Sequence, residues 1–131
     1  MSHGVHVFAG TFESREEAVL YTEPQWEPEP AEDVSDERYR EWEDRNPIWG
    51  MRTDLDVYLD SDFIETIDGP DRYTYLQGML VDGAEIQSIR ERAPASANML
   101  VLIFHQALGG FPALMSSTPR LTYCGEWACS L

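Results

Sequence analysis

At 131 residues and 15.0 kDa the chain has the length of one domain and is too short for a multidomain assembly. Its apolar share of 43% and aromatic share of 11% supply enough material to bury roughly two thirds of the unfolded surface, which excludes a natively disordered acidic tail. Against 24 acidic residues stand 9 basic ones, every one of them Arg, for a net charge of −15; this disfavours nucleic acid, whose phosphates demand basic counter-charge, and favours basic partners.

The first strand is expected over residues 5–9, where β-branched and aromatic side chains precede Gly10. A helix then begins after Ser14: Glu17 completes a capping-box pattern, Glu16 and Glu17 suit the positive end of the helix dipole, and Pro24 closes the element. Residues 23–37 read EPQWEPEPAEDVSDE, with three prolines, seven acids and no basic residue. An extended, solvated loop is expected there, with Trp26 as its one large apolar anchor. Ser35 is placed to cap a second helix that ends near Arg45, with Val34 before the cap and Pro47 beyond the end; Tyr39 and Trp42, three apart, share one face.

Residues 54–71 again hold seven acids and no Arg. The alternation of Leu55, Val57 and Leu59 predicts a short strand there, followed by a loop or a single turn at DSDFIE. Asp71 is placed to cap a helix through Met79, and a further helix is expected over residues 84–92 with Ile86 and Ile89 on its buried side. Pro94 and the small residues after it lead into NMLVLIFH, residues 98–105, whose unbroken apolar run predicts a central strand buried on both faces. A loop over residues 108–112 and a last strand over residues 121–127 complete the order β, α, α, β, α, α, β, β. The predicted fold class is α+β: a single domain over residues 1–131, with a mixed, mostly antiparallel sheet of about four strands packed with helices.

No segment approaches the ~20 apolar residues needed to span a bilayer, so no membrane association is expected. The opening MSHGVHVFAGTF carries no Arg before its apolar stretch and does not read as a secretory signal, which points to the cytoplasm. Cys124 and Cys129 match neither the CxxC redox spacing nor paired zinc spacing, and they are expected to be free thiols. Charge is unevenly placed: residues 1–92 hold 23 acids and 8 Arg, whereas residues 93–131 hold only Glu126 and Arg120. The carboxyl-terminal third is expected to be core, and the earlier segments carry the acidic surface.

Asp54, Asp56, Asp60, Asp62 and Glu65 invite a hard-cation reading, but an EF-hand loop needs a Gly after its acids and none follows here. A metal-dependent hydrolase could be built on Asp60, Asp62 and Glu65, with His105 as a fourth, nuclease-like member, although nothing in the spacing selects it. His105, at the end of an apolar strand, reads as a structural histidine, and His3 and His6 carry still less signal. There is no G-x-S-x-G turn, Gly109 and Gly110 do not open a phosphate loop, and the absence of Lys excludes Schiff-base chemistry. No cofactor and no metal are expected.

Trp49 and Trp127 lie in apolar surroundings and are assigned to the core. Trp26 and Trp42 lie among carboxylates, where a large flat side chain ringed by charge suits an interface anchor; Trp42 stays open between core and interface. The candidate partner-binding residues are Trp26, Glu27, Glu29, Glu32, Asp33, Asp36 and Glu37 in the Pro-rich acidic segment, with Asp60, Asp62 and Glu65 in the second acidic segment.

Four stretches together resemble a family of bacterial immunity proteins from polymorphic toxin systems, the immunity protein 22 family. They are VFAGTFESREEAVLY at residues 7–21, DSDFIE at 60–65, NMLVLIF from Asn98 and LTYCGEW from Leu121. The chain departs from the family pattern at Phe8, at Thr11 and at Cys124, and in its acidic insertion around Trp26. The resemblance implies a protein that inhibits a cognate toxin by binding it, with no enzymatic activity. Net charge of −15 agrees with a basic effector domain as target, such as a nuclease, because complementary potential raises the association rate. The alternatives from other classes are the small metal-dependent hydrolase and a generic acidic interaction module.

Overall fold

The computed structural model describes residues 2–111 and 113–130. Strand β1 (Ser2–Gly10) carries its apolar residues on both faces, Val5, Val7 and Ala9 on one and Phe8 on the other. It lies centrally, beside β3 (Met99–Phe104) and β4 (Leu121–Ser130), and β2 (Ile64–Asp68) closes the far side of β3. The spatial order is β2-β3-β1-β4, and all three pairings are antiparallel.

The predicted central strand at residues 98–105 is β3, buried at every one of its positions. Its odd residues Met99, Val101 and Ile103 face one core cluster, and its even residues Leu100, Leu102 and Phe104 face the other. Full burial of each such aliphatic side chain contributes roughly 1.5–3 kcal/mol, so this strand is the apolar spine of the molecule. Helix α1 (Arg15–Thr22) and helix α3 (Gly50–Leu55) cover the first face through Ala18, Tyr21 and Met51. Helices α4 (Arg72–Met79) and α5 (Ile86–Arg92) cover the second through Leu76 and Ile89.

Ser14 caps α1 as predicted, its hydroxyl accepting from the Glu17 amide at 3.1 Å, but the Glu17 carboxylate accepts from the amide of Glu13 and not from that of the cap residue, so the capping box is only half formed. Helix α2 (Asp36–Arg45) also starts where expected, its Arg38 amide donating to the Ser35 hydroxyl, but it buries no residue at all. Helix α3 corrects the sequence reading, which placed no helix there. Gly50 and Thr53 are weak helix formers and Trp49 supplies no side-chain cap, so tertiary packing of Met51 holds the element. The strand expected over Leu55, Val57 and Leu59 is likewise absent. Asp56 terminates α3 in the left-handed conformation; Leu55 at the helix end and Val57 and Leu59 in the connector each lean on the first core cluster, without a strand partner. The true strand, β2, begins after a 3-10 turn at Ser61–Phe63, as DSDFIE suggested for the turn.

Strand β4 extends beyond the predicted residue 127 and carries a bulge. His6 pairs with Glu126 and Phe8 with Tyr123, so Cys124 and Gly125 together face the single residue Val7. Gly125 has φ +106°, a conformation open to glycine. The extra residue restores phase: Cys124 and Cys129, an odd number apart, both enter the second core cluster. Both are buried and free. Trp49 is buried as expected, but Trp127 is only half-buried, donating to the Cys124 carbonyl at 3.0 Å beneath the Arg92 guanidinium. Pro112, at the end of the predicted loop, lies outside the described residues. Among the described residues no helix is long and apolar enough to cross a membrane.

Candidate functional site

The Pro-rich acidic segment has no regular structure over residues 26–31, as its composition predicts, but it turns at 32–34, enters α2 at Asp36 and is held at several points. Gln25 and Ile48 exchange backbone hydrogen bonds of 2.9 and 2.7 Å, fixing the segment to the approach of α3. Two residues later the Glu27 backbone is clamped on both sides, its amide donating to the Asn46 side chain at 2.8 Å and its carbonyl accepting from the Trp42 indole at 3.1 Å. Asn46 is itself buried and donates to the Trp42 carbonyl at 2.8 Å. Trp26 stands between these two anchors with its side chain 61% exposed.

Trp26, Trp42 and Tyr39 form an aromatic row, with ring centroids 5.9 and 5.5 Å apart in sequence. Tilted pairs at this spacing carry attraction beyond simple burial. Trp42 is half-buried, at once packed against Trp26 and bonded to the segment, so it supports the exposed ring. The carboxylates of this segment and of the start of α2 are in two different states. Glu27 binds Arg45 through two contacts of 2.6 and 3.1 Å, and that hydrogen-bonded guanidinium holds its carboxyl below the usual range. Glu29 accepts from the Tyr39 hydroxyl at 2.9 Å, which raises the phenol's pKa. Glu32, Asp33, Asp36 and Glu37 are exposed, the last two in the first turn of α2, where the helix dipole favours negative charge.

In the second acidic group, Asp60 and Glu65 also make local hydrogen bonds. Asp60 accepts from the Asp62 amide at 3.0 Å and shapes the 3-10 turn before β2, while its own amide donates to the Ala107 carbonyl. Glu65, on β2, accepts from the Tyr75 hydroxyl at 2.9 Å. Asp60, Asp62, Glu65 and His105 do not converge as a hydrolytic metal site would require. Among the described residues the one group of three His, Cys, Asp or Glu side chains with ligand atoms within 4.8 Å of one another is His6, His105 and Glu126.

Sequence alone does not bring this trio together; it reads His105 as a satisfied structural histidine, and the imidazole does have a partner in Glu126. The His105 side chain is 44% exposed, and its Nε2 lies 2.6 Å from the Glu126 carboxylate. His6 is buried on the same face as Phe8, with Nε2 3.4 Å from that carboxylate and Nδ1 2.8 Å from the Tyr123 hydroxyl. Burial lowers the pKa of His6, against the opposing pull of Glu126. The signal available in sequence was the strand phase: Gly4, His6 and Phe8 share one face, and antiparallel pairing brings them against the end of β3 and Glu126.

Searches of protein families, of curated proteins and of solved structures find no match to this chain.

Proposed function

We propose that this protein is an immunity-type inhibitor that binds and neutralises a basic toxin domain in the bacterial cytoplasm and performs no chemistry of its own. The observation that carries this reading is Trp26: a large aromatic residue, 61% exposed, on an acidic segment whose backbone is pinned on both sides of it. A ring presented in a fixed position loses little conformational freedom on binding, which is the character of an interface hot spot. The surrounding charge suits a basic partner, since Glu32, Asp33, Asp36 and Glu37 are exposed and the whole chain carries −15. The resemblance to the immunity protein 22 family supplies the class of target, a toxin encoded beside the inhibitor.

The test is co-expression with the toxin domain encoded by the neighbouring gene. Rescue of growth and co-purification of a complex are expected, with both weakened by Trp26→Ala. A toxin that stays lethal in the presence of the intact, folded protein, with no complex recovered, would overturn the proposal.

A further inference from the structure

We propose that His6, His105 and Glu126 form a binding site for a divalent transition-metal ion, with Zn²⁺ the best fit, where β1 and β4 meet the turn that follows β3. The site is separate from the Trp26 segment and does not depend on the inhibitor reading.

The geometry is that of two imidazoles and one carboxylate drawn to a common point from three elements. Their ligand atoms all lie within 4.8 Å of one another. The 3.4 Å separation of His6 Nε2 and Glu126 Oε2 matches the edge of a tetrahedron around Zn²⁺, roughly 3.3 Å for bonds of about 2.0–2.1 Å. His105 sits closer to the carboxylate, at 2.6 Å, as a hydrogen-bonded partner does. Less than an ångström of opening admits the ion between them, and His105 can yield because its side chain is half-exposed on the 3-10 turn at His105–Leu108.

Two further features point to a ligand set. The Tyr123 hydroxyl engages His6 at Nδ1, which leaves Nε2 as the nitrogen aimed at Glu126; metal-binding histidines commonly have their second nitrogen held in this way. Tyr123 is in turn fixed against Phe8, ring centroids 5.0 Å apart, so this outer support is anchored in the core. Gly4 makes room for the other imidazole. A Cβ at Gly4 would lie 1.9 Å from the His105 ring, so the ring rests directly on the β1 backbone, and any side chain at that position would displace it.

The donor set chooses the metal class. Two nitrogens and one oxygen suit Zn²⁺ and its neighbours, whereas Ca²⁺ and Mg²⁺ require mostly oxygen. Three protein ligands with His105 and Glu126 facing solvent leave a coordination position open to water or to a donor from a partner. Cys124 and Cys129 are not competitors, since both are buried in the second core cluster, on the other face from His6.

The experiment is calorimetric titration of the full chain with Zn²⁺, paired with Co²⁺ absorption to report the ligands. One ion per chain is expected, together with a higher melting temperature in Zn²⁺ and a low-symmetry Co²⁺ d–d spectrum lacking a thiolate charge-transfer band. His105→Ala and Glu126→Gln, both at exposed side chains, are expected to keep the metal-free melting temperature and lose the site. Tyr123→Phe is expected to weaken binding about 10–100-fold without changing its stoichiometry. Excess Mg²⁺ or Ca²⁺ should not displace Zn²⁺. The proposal is overturned by an absence of saturable Zn²⁺ binding, by equal binding in both ligand variants, or by a thiolate band that moves the metal to the cysteines.

Discussion

One side chain, Asn98, is hydrogen-bonded to both backbone groups of Phe12: its Oδ1 accepts from the Phe12 amide at 3.0 Å and its Nδ2 donates to the Phe12 carbonyl at 2.7 Å. The amide of Asn98 also donates to the Gly10 carbonyl, so the side chain extends the β1·β3 ladder beyond its last pair, Gly10 with Met99. Phe12, buried against Tyr21, is thereby fixed at the entrance to α1. Asn98→Ala removes both bonds and is expected to cost about 1–3 kcal/mol, because two partly buried backbone groups lose their partner. Asn98→Asp keeps the acceptor but turns a carboxylate oxygen toward the Phe12 carbonyl, and should cost at least as much as Asn98→Ala. Urea denaturation of the three proteins decides this; an unchanged midpoint in Asn98→Ala would show that water replaces the side chain fully.

The bulge at Gly125 sets a second expectation. With φ at +106° and Arg92 Nη1 only 2.5 Å from where a Cβ would stand, Gly125→Ala combines backbone strain with a clash. A loss on the order of 1–3 kcal/mol is expected by thermal or chemical unfolding. Flexible Arg92 can move away, so the strained backbone is the lasting part of the cost. A variant as stable as the parent would mean that β4 can re-register without the bulge.

Cys124 and Cys129 should resist alkylation in the folded protein, because both are buried and burial raises their thiol pKa values. Five residues of extended strand, at ~3.3 Å each, also hold them well beyond the about 7 Å reach of a disulfide. Two adducts are expected after denaturation without reductant, measured by mass spectrometry. None would reveal a bridge, and adducts formed at native rates would place the thiols at the surface.

Tyr21 gives a pH dependence. Its hydroxyl donates to Asp54 at 2.6 Å and contacts Thr118 at 3.0 Å. Burial, then the Asp54 carboxylate, raises the phenol from its ordinary 10.0 to about 12. The unfolded chain therefore releases this proton first as pH rises, and the native state holds more protons in the window between. Stability from this group is complete below pH 10 and is lost as pH approaches about 12. Unfolding free energies for the parent and Tyr21→Phe, compared across that window, isolate its share from the other tyrosines. Parallel curves would remove Tyr21 from the account.

For partner binding, the two states of the carboxylates predict separate kinetics. Glu32→Gln and Asp33→Asn, at exposed side chains, should lower the association rate and flatten its salt dependence, with little effect on dissociation. Trp26→Ala should speed dissociation and cost about 2 kcal/mol or more as a hot spot. Glu27→Gln belongs with Trp26, because it weakens the Arg45 pairing that holds the segment. Stopped-flow measurements against the toxin domain over a salt series test all three. An association rate indifferent to salt and to the rim carboxylates would remove the electrostatic steering.

Local chemistry alone was enough to place β1, α1, α2 and β3. Ser14 and Ser35 each announce a helix start through a side chain acting on an amide a few residues away, and an unbroken apolar run such as MLVLIF can only be buried on both faces. Composition likewise marks residues 23–37 as a solvated loop, since three prolines and seven acids cannot form a core; the loop runs only to Ser35, and Asp36 and Glu37 already belong to α2. Helix α3 escaped this reading because its stability comes from Met51 packing across the sequence, which no nearby residue signals. The phase of β4 was hidden for the same reason: a single extra residue at Gly125 moves every later side chain to the opposite face, and only pairing with β1 reveals it. That shift brings Glu126 beside His6, while antiparallel pairing lays the end of β3 over Gly4 and sets His105 there too. Three residues scattered over 120 positions of chain carry no common local pattern, so their meeting was decided by tertiary register alone.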